Sequence, residues 1–138
     1  MPKSSPLSLR LPPELLEEIR KEARRTSRSA SQIIESTLEE GVRMRRCPGI
    51  IFAHGPAGRR AIVAGTGIDV WEVVRIFVAC DENVDALRRA LPQLSLPQLE
   101  AALFYYHSYP HEIDERLKLE EEAFDEFPAL PFVRKIRI

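Results

Sequence analysis

The residues best placed for metal chemistry are two histidines four positions apart, His107 and His111. Two imidazoles at this spacing on one helix can ligate zinc, and a glutamate beside the first can act as general base. Here Pro110 lies between them, and no glutamate occupies the general-base position of H-E-x-x-H. We therefore do not predict a metal site, and we interpret His107 as the polar end of a Tyr105-Tyr106-His107 surface.

Four glycines could instead suggest a loop that holds phosphate. They are Gly55, Gly58, Gly65 and Gly67. The phosphate-binding string G-x-x-x-x-G-K-[ST] does not occur, and no parallel-sheet pattern surrounds them. They are better explained as turn residues.

Catalytic nucleophiles and acid/base pairs are not indicated either. No serine lies in a G-x-S-x-G context, and the carboxylates fall on charged helix faces or in an acidic run. The two cysteines have neither metal-ligand spacing nor a catalytic frame, so we interpret Cys47 as a junction residue and Cys80 as a buried core thiol. We predict a protein that is not an enzyme and needs no cofactor.

The elements that could position functional residues begin with the segment Leu7-Ser8-Leu9-Arg10-Leu11. Its leucines share one face and its polar residues the other, which is the period-two pattern of a half-buried strand. A lone strand has unpaired backbone groups on both edges, and the same strand of a second copy is its simplest partner. We therefore expect a homodimer formed through this strand.

Two amphipathic helices are predicted to follow the strand. The first begins at Pro13, and the second begins after Ser29, where Ser29 and Gln32 fit the S-x-x-Q capping box. The residues predicted to face inward are Leu15, Leu16, Ile19 and Ala23 in the first helix, and Ile33, Ile34, Thr37, Leu38 and Val42 in the second.

This strand, helix and helix resemble the ribbon-helix-helix repressors, whose paired strands enter the major groove of DNA. The resemblance implies that Ser8 and Arg10 read base edges. It also implies that the start of the second helix, around Ser29 to Ser31, holds a phosphate on its free amides. Arg28 would add charge against the DNA backbone.

Charge is distributed unevenly along the chain. Up to Arg46 there are ten Lys or Arg against seven acidic residues, whereas Cys47 onward has ten against fourteen. The excess of basic residues up to Arg46 favours binding of a polyanion. Together with Cys47-Pro48-Gly49, this shift predicts three segments: a ribbon-helix-helix-like module at 1–46, a helical domain at 47–122 and a tail at 123–138.

The second segment is predicted to begin with a β-hairpin, from the apolar runs Ile50-Ile51-Phe52 and Ala61-Ile62-Val63 on either side of a Gly/Pro-rich turn. Four helices follow. Three have capping signals, Asp69 with Glu72, then Asn83, then Ser95 with Gln98, and the last begins near Pro110. The predicted fold class is mainly α with short β.

Residues 48–122 resemble a domain-of-unknown-function family often found in small bacterial antitoxins, with a helix-turn-helix-like or winged-helix-like core. Three stretches carry the resemblance: VAGTGIDVWEVV, NVDALRRALP and LSLPQLEAALFYY. The family usually reads G-T-R-I-P-V in the first stretch, whereas this chain has Gly67 and Asp69 at the positions of the arginine and the proline.

The tail AFDEFPALPFVRKIRI mixes aromatic, proline and basic residues. One interpretation is docking on a partner protein, with Phe127, Phe132, Arg134, Lys135 and Arg137 in contact with it. The other is an edge strand from Val133 to Ile138 that packs on the protein's own hairpin or on its dimer mate.

Together the resemblances imply a VapB-type antitoxin that binds operator DNA and neutralises a PIN-type ribonuclease. The tail would place an arginine against the carboxylates that hold the nuclease's magnesium. Two alternatives are a stand-alone regulator whose second domain binds a ligand or protein, and a structural adaptor whose first module only oligomerises. The chain shows no charged-then-apolar leader and no apolar run long enough to span a membrane, so we expect a cytoplasmic protein.

Overall fold

A computed structural model describes residues 5–56 and 58–125, and these fall into two units that divide between Arg43 and Met44. The fold is mainly helical with one antiparallel hairpin, as predicted. The elements of the described residues are α1 (Pro13–Thr26), α2 (Ala30–Arg46), β1 (Ile50–Gly55), β2 (Gly58–Val63), α3 (Val70–Ala79), α4 (Val84–Ala90), α5 (Leu96–Ser108) and α6 (Pro110–Asp125).

The first unit contains two helices joined by a short turn. Helix α1 begins at Pro13, which is the predicted position, because proline's fixed φ suits the first helical turn. It ends at Ser27, whose φ of 54° is left-handed and whose amide donates back to the helix. Arg28 also donates its amide to the carbonyl of Ala23, which closes the turn before α2.

The capping box of α2 is confirmed. The Ser29 hydroxyl accepts a hydrogen bond from the Gln32 amide at 3.1 Å, and the Gln32 side-chain oxygen accepts one from the Ser29 amide at 2.9 Å. Two amides that the helix itself leaves without acceptors are thereby satisfied.

Residues 7–11 form no strand in the single chain. The only sheet among the described residues is the hairpin of the second unit, in the middle of the chain. A strand at this position needs a hydrogen-bonded neighbour, and the described part of unit 1 holds none. The predicted N-terminal strand is therefore not confirmed, and the described part of unit 1 consists of two helices and the segment before them.

The second unit opens with the predicted hairpin. Strand β1 pairs antiparallel with β2 in a register that places Ile50 opposite Val63 and Ala53 opposite Arg60. At the open end of the hairpin the Ala64 amide donates to the Gly49 carbonyl at 2.9 Å. The pairing extends beyond β2 through an isolated bridge between Ile62 and Asp69, which ties the hairpin to the start of α3.

The link between β2 and α3 is the Gly65-Thr66-Gly67 turn. Both glycines have positive φ, 79° and 71°, and Gly67 occupies the position where the resembled family has arginine. Between them, the Thr66 hydroxyl donates to the Val63 carbonyl at 2.8 Å and accepts from the Ile68 amide at 3.0 Å. The turn places Asp69 at the N-cap position of α3.

Helices α3, α4 and α5 begin at their predicted caps. The Asp69 and Ser95 capping boxes both form, with Glu72 and Gln98 as their second members. Asn83 caps α4 by accepting from the Ala86 amide at 2.9 Å. The capping residues therefore predict the first residues of α3, α4 and α5 correctly.

Helix α3 lies at the centre of unit 2 and packs against α4, α5, α6 and β2. The buried residues of this core are Cys47, Ile50, Ala61, Val63, Val70, Val73, Val74, Leu87, Leu91, Leu94, Leu99, Ala102, Tyr105 and Ile113. The core therefore joins the hairpin to all four helices.

Three assignments of burial were wrong. Cys47 is the buried cysteine, because it packs in the core, and Cys80 is only half-buried at the end of α3. Tyr105 belongs to the core rather than to a surface with Tyr106 and His107, since its ring contacts Phe52 and Tyr109. The spacing of apolar residues in α3 predicts a buried face of Val70, Val73, Val74, Phe77 and Val78, yet Val78 is 52% exposed.

Replacing Gly49 by alanine should destabilise unit 2 by about 1–3 kcal/mol. Gly49 has a φ of 91°, and an added Cβ would lie 3.2 Å from the Cβ of Ala101 on α5. The matched control is Gly55→Ala, since an added Cβ there meets nothing within 4 Å. Urea unfolding followed by circular dichroism measures both variants. Equal stabilities of the two variants would contradict the close approach of Gly49 to α5.

Candidate functional site: unit 1 surface and unit 2 cleft

Most of the segment before α1 is open to solvent. Ser8 and Arg10, the residues expected to read bases, are exposed, and Arg10 has no ion-pair partner among the described residues. Two of the neighbouring leucines are exposed as well, Leu7 to 86% and Leu9 to 61%, whereas Leu11 is half-buried. The alternating segment thus presents a polar face and an apolar face that is only partly covered in the single chain.

At the start of α2 the predicted phosphate position is partly occupied by the helix's own cap. Ser29 uses its hydroxyl on Gln32, and the Ile33 amide donates to the Ser29 carbonyl at 3.1 Å. The amides of Ala30 and Ser31 have no acceptor among the described residues, and they are the donors that a phosphate would use.

Arg28 lies along α2 rather than away from it. Its guanidinium donates to the Gln32 carbonyl and to the Ser36 hydroxyl, both at 3.3 Å. The structure therefore brings Arg28, Ser29 and Ser31 together at one helix end. Ser8 and Arg10 belong to the segment before α1, and no hydrogen bond or ion pair among the described residues joins them to this helix end.

Unit 1 leaves much of its predicted apolar interior in water. Of the residues expected to face inward, Leu15 is 43% exposed, Leu38 55% and Val42 65%. Its buried positions are Ala23, Ile33 and Glu40. Two short helices cannot cover each other's apolar faces completely, and a surface of this kind in a small unit is typical of an interaction site.

Several unit 1 arginines are already paired with acids on the same helix. Arg24 lies 3.3 Å from Glu17, and Arg25 lies 2.5 Å from Glu22. Exposed pairs of this type contribute little to stability, yet they offset charge locally. Arg10 lies outside these pairs, so its charge is not offset in this way.

In unit 2 the polar residue with the most varied contacts is Asp69, which is 5% exposed. Its carboxylate accepts a hydrogen bond from the Trp71 indole N–H at 2.9 Å and lies 3.5 Å from Nε of Arg60. Its backbone carbonyl accepts hydrogen bonds from the amides of Glu72 and Val73. A carboxylate at a helix N-terminus is also stabilised by the helix dipole.

Next to Asp69, a cleft of about 140 Å³ lies between the hairpin, α3 and α6. Its polar and aromatic lining is Arg59, Arg60, Trp71, Glu112, Glu115 and Arg116, and Ala61, Ile113 and Leu119 supply apolar surface. The guanidiniums of Arg75 and Arg116 lie 5.6 and 5.7 Å from the centre of the Trp71 ring, within cation–π distance.

One wall of the cleft is held by an internal polar network. The Tyr105 hydroxyl donates to the Glu112 carboxylate, which also lies 3.5 Å from the Arg59 guanidinium. Arg59 lies over the Phe52 ring at 5.3 Å. These contacts fix β2 against α5 and α6, so the cleft has a rigid wall on that side.

A second tyrosine lies nearby on α5. The Tyr106 hydroxyl donates to Asp114 at 2.7 Å. This hydrogen bond, then burial, then the negative charges of Asp114 and Glu82 raise the pKa of Tyr106 above its ordinary value. Tyr106 is therefore held as a neutral hydrogen-bond donor.

Sequence reasoning missed the cleft. The available signal was the pair Arg59-Arg60 at the end of the predicted Gly/Pro-rich turn, together with the single tryptophan Trp71. The α6 residues of the cleft, however, lie some fifty positions from Arg59. Among the described residues no group of three or more His, Cys, Asp or Glu side chains could hold a metal ion. The predicted partner-binding residues Phe127, Phe132, Arg134, Lys135 and Arg137 lie outside the described residues.

Within the described part of the chain no helix is long and apolar enough to cross a membrane. Neither the curated proteins nor the solved structures contain a match to the chain. A family model does match part of unit 2. Residues 50–106, which form the hairpin and helices α3, α4 and most of α5, are similar to the family described as "Protein of unknown function (DUF433)".

Proposed function

We propose that this protein is an antitoxin of the VapB type, which dimerises through its N-terminal segment, binds its own operator DNA and holds a PIN-type ribonuclease inactive. The observation that carries the proposal is the surface of unit 1. There an exposed alternating segment with an unpaired arginine precedes two helices whose apolar residues lie open to solvent.

Dimerisation is supported by the exposure of three leucines and a valine. Leu7, Leu9, Leu38 and Val42 each expose more than half of their surface in the single chain. Pairing of two extended segments would satisfy their backbone groups and bury one leucine face of each. The opposite face, with Ser8 and Arg10, would then lie outward on the paired ribbon, where it could enter the major groove.

The toxin-binding part of the proposal rests on the second unit and the tail. Residues 50–106 match a family of unknown function. The resemblance of residues 48–122 links such a domain to small bacterial antitoxins. The tail supplies arginines that could neutralise the carboxylates of a magnesium-dependent nuclease. In this proposal unit 1 recognises DNA, and unit 2 with its tail recognises the nuclease.

Dimerisation is tested by placing negative charge in the exposed apolar face of α2. Leu38→Glu combined with Val42→Glu should shift the chain from dimer to monomer, because burying either side chain contributes about 1.5–3 kcal/mol. Sedimentation velocity measures the change. Val78→Glu is the control, since Val78 is also about half exposed but lies in unit 2. A double variant that remains dimeric would contradict dimerisation through unit 1.

DNA reading is tested at Arg10. Arg10→Ala should weaken binding to the DNA upstream of the gene by about 1–3 kcal/mol, the cost of losing a base-reading arginine. Arg25→Ala should have little effect, since Arg25 is paired with Glu22 on α1. Gel-shift titrations at several salt concentrations separate a specific complex from general attraction to phosphate. Equal losses in both variants, or no DNA binding, would remove Arg10 as a reader.

The antitoxin role is tested by co-purification with the product of the adjacent gene and a ribonuclease assay. The full chain should form a stable complex and suppress nuclease activity. Replacing Arg134, Lys135 and Arg137 together by alanine should restore nuclease activity while leaving DNA binding intact. If no partner co-purifies but DNA binding persists, the stand-alone regulator replaces the antitoxin.

A further inference from the structure

We propose that the cleft lined by Arg60, Trp71, Arg116 and Leu119 is a binding site for a small organic carboxylate with a flat, apolar body. The site belongs to unit 2 alone and stands independently of the proposed antitoxin role. Its lining combines cationic donors, an aromatic ring and apolar surface in a volume of about 140 Å³. A few polar groups converging on a largely apolar concave surface are typical of small-molecule sites.

The charge of the ligand is indicated by an unsatisfied donor. The Nε–H group of Arg116 is buried and has no hydrogen-bond acceptor among the described residues, whereas Nε of Arg60 makes no hydrogen bond but lies 3.5 Å from the Asp69 carboxylate. Both arginines line the cleft. A buried donor without an acceptor is costly, and more so when it carries charge, so the chemistry that completes this site is an anionic oxygen.

The arginines are held in place by other contacts and keep donors to spare. Arg60 lies beside Asp69, and the terminal nitrogen of Arg116 lies 2.6 Å from Glu120. Each guanidinium carries five N–H donors in a planar fork, and these ion pairs occupy only some of them. Ordered guanidiniums lose little conformational freedom on binding an anion, which favours recognition.

The body of the ligand is indicated by the rest of the lining. Trp71 is fixed by its hydrogen bond to Asp69, so its ring is a rigid platform. Leu119 is 60% exposed at the same cleft, and this apolar surface is unfavourably hydrated when the cleft is empty. A flat apolar group can pack on both while its carboxylate reaches the arginines.

A cationic ligand fits the cleft less well. Of the two acids in the lining, Glu112 already accepts the Tyr105 hydroxyl and faces Arg59. The other acid, Glu115, is exposed, and an exposed carboxylate attracts a cation only weakly.

The test uses the full chain and benzoate as the probe. Trp71 is the single tryptophan, so its indole N–H gives one unambiguous NMR resonance. Benzoate should shift this resonance in a saturable way, whereas benzamide, with the same ring and no charge, should not. Inorganic phosphate should bind more weakly than benzoate, because it lacks the apolar body.

Variants assign the shift to the cleft. Arg116→Met and Arg60→Met should each weaken benzoate binding about tenfold or more, the loss expected for a charge-assisted hydrogen bond. Arg75→Met is the matched control, since Arg75 lies equally close to the Trp71 ring but is not part of the lining. Leu119→Asp, at an exposed position where folding should be unaffected, should abolish binding by repulsion.

Three results would overturn the proposal. The first is a Trp71 resonance that does not move with benzoate. The second is an equal response to benzoate and benzamide, which would remove the role of charge. The third is benzoate binding that survives both Arg116→Met and Leu119→Asp, which would place the anion elsewhere on the chain.

Discussion

The second unit depends on a single buried carboxylate, that of Asp69. It lies where three parts of the unit meet, because the bridge to Ile62 joins it to the hairpin, its backbone begins α3, and its side chain holds Trp71 and faces Arg60. A carboxylate that is 5% exposed is costly to bury unless its oxygens are occupied. The indole N–H, the arginine and the helix dipole supply that compensation, and the same three contacts shape the cleft.

Much of unit 2 could be predicted because its signals are local. A capping box needs only a serine or aspartate and a glutamate or glutamine three residues later, so the starts of α3 and α5 could be located from the sequence. Burial was less predictable, as Cys47, Tyr105 and Val78 show, because it depends on which neighbour each face meets. The cleft was out of reach for the same reason, since Arg59 and Glu112 are 53 residues apart.

Unit 1 shows the opposite relation between sequence and structure. Its apolar pattern correctly predicts two amphipathic helices, yet Leu38 and Val42, assigned inward, are exposed in the single chain. Periodicity identifies which residues share a face but not which molecule covers that face. The alternating segment at 7–11 has the same ambiguity, because strand hydrogen bonds need a neighbour that the described part of unit 1 does not contain.

Long-range and short-range electrostatic interactions favour anions to different degrees in the two parts of this chain. From Cys47 onward acids outnumber bases by fourteen to ten, so the long-range field of this part repels anions, whereas the segment up to Arg46 attracts them. The cleft does not reverse that balance, because its three arginines are paired with Glu112, Asp69 and Glu120. An anion would therefore gain little from steering towards unit 2, and its affinity would come from short contacts with ordered guanidiniums. A polyanion such as the DNA of the proposed function would gain from the field of residues 1–46, with ten basic against seven acidic residues, before any nucleobase is contacted.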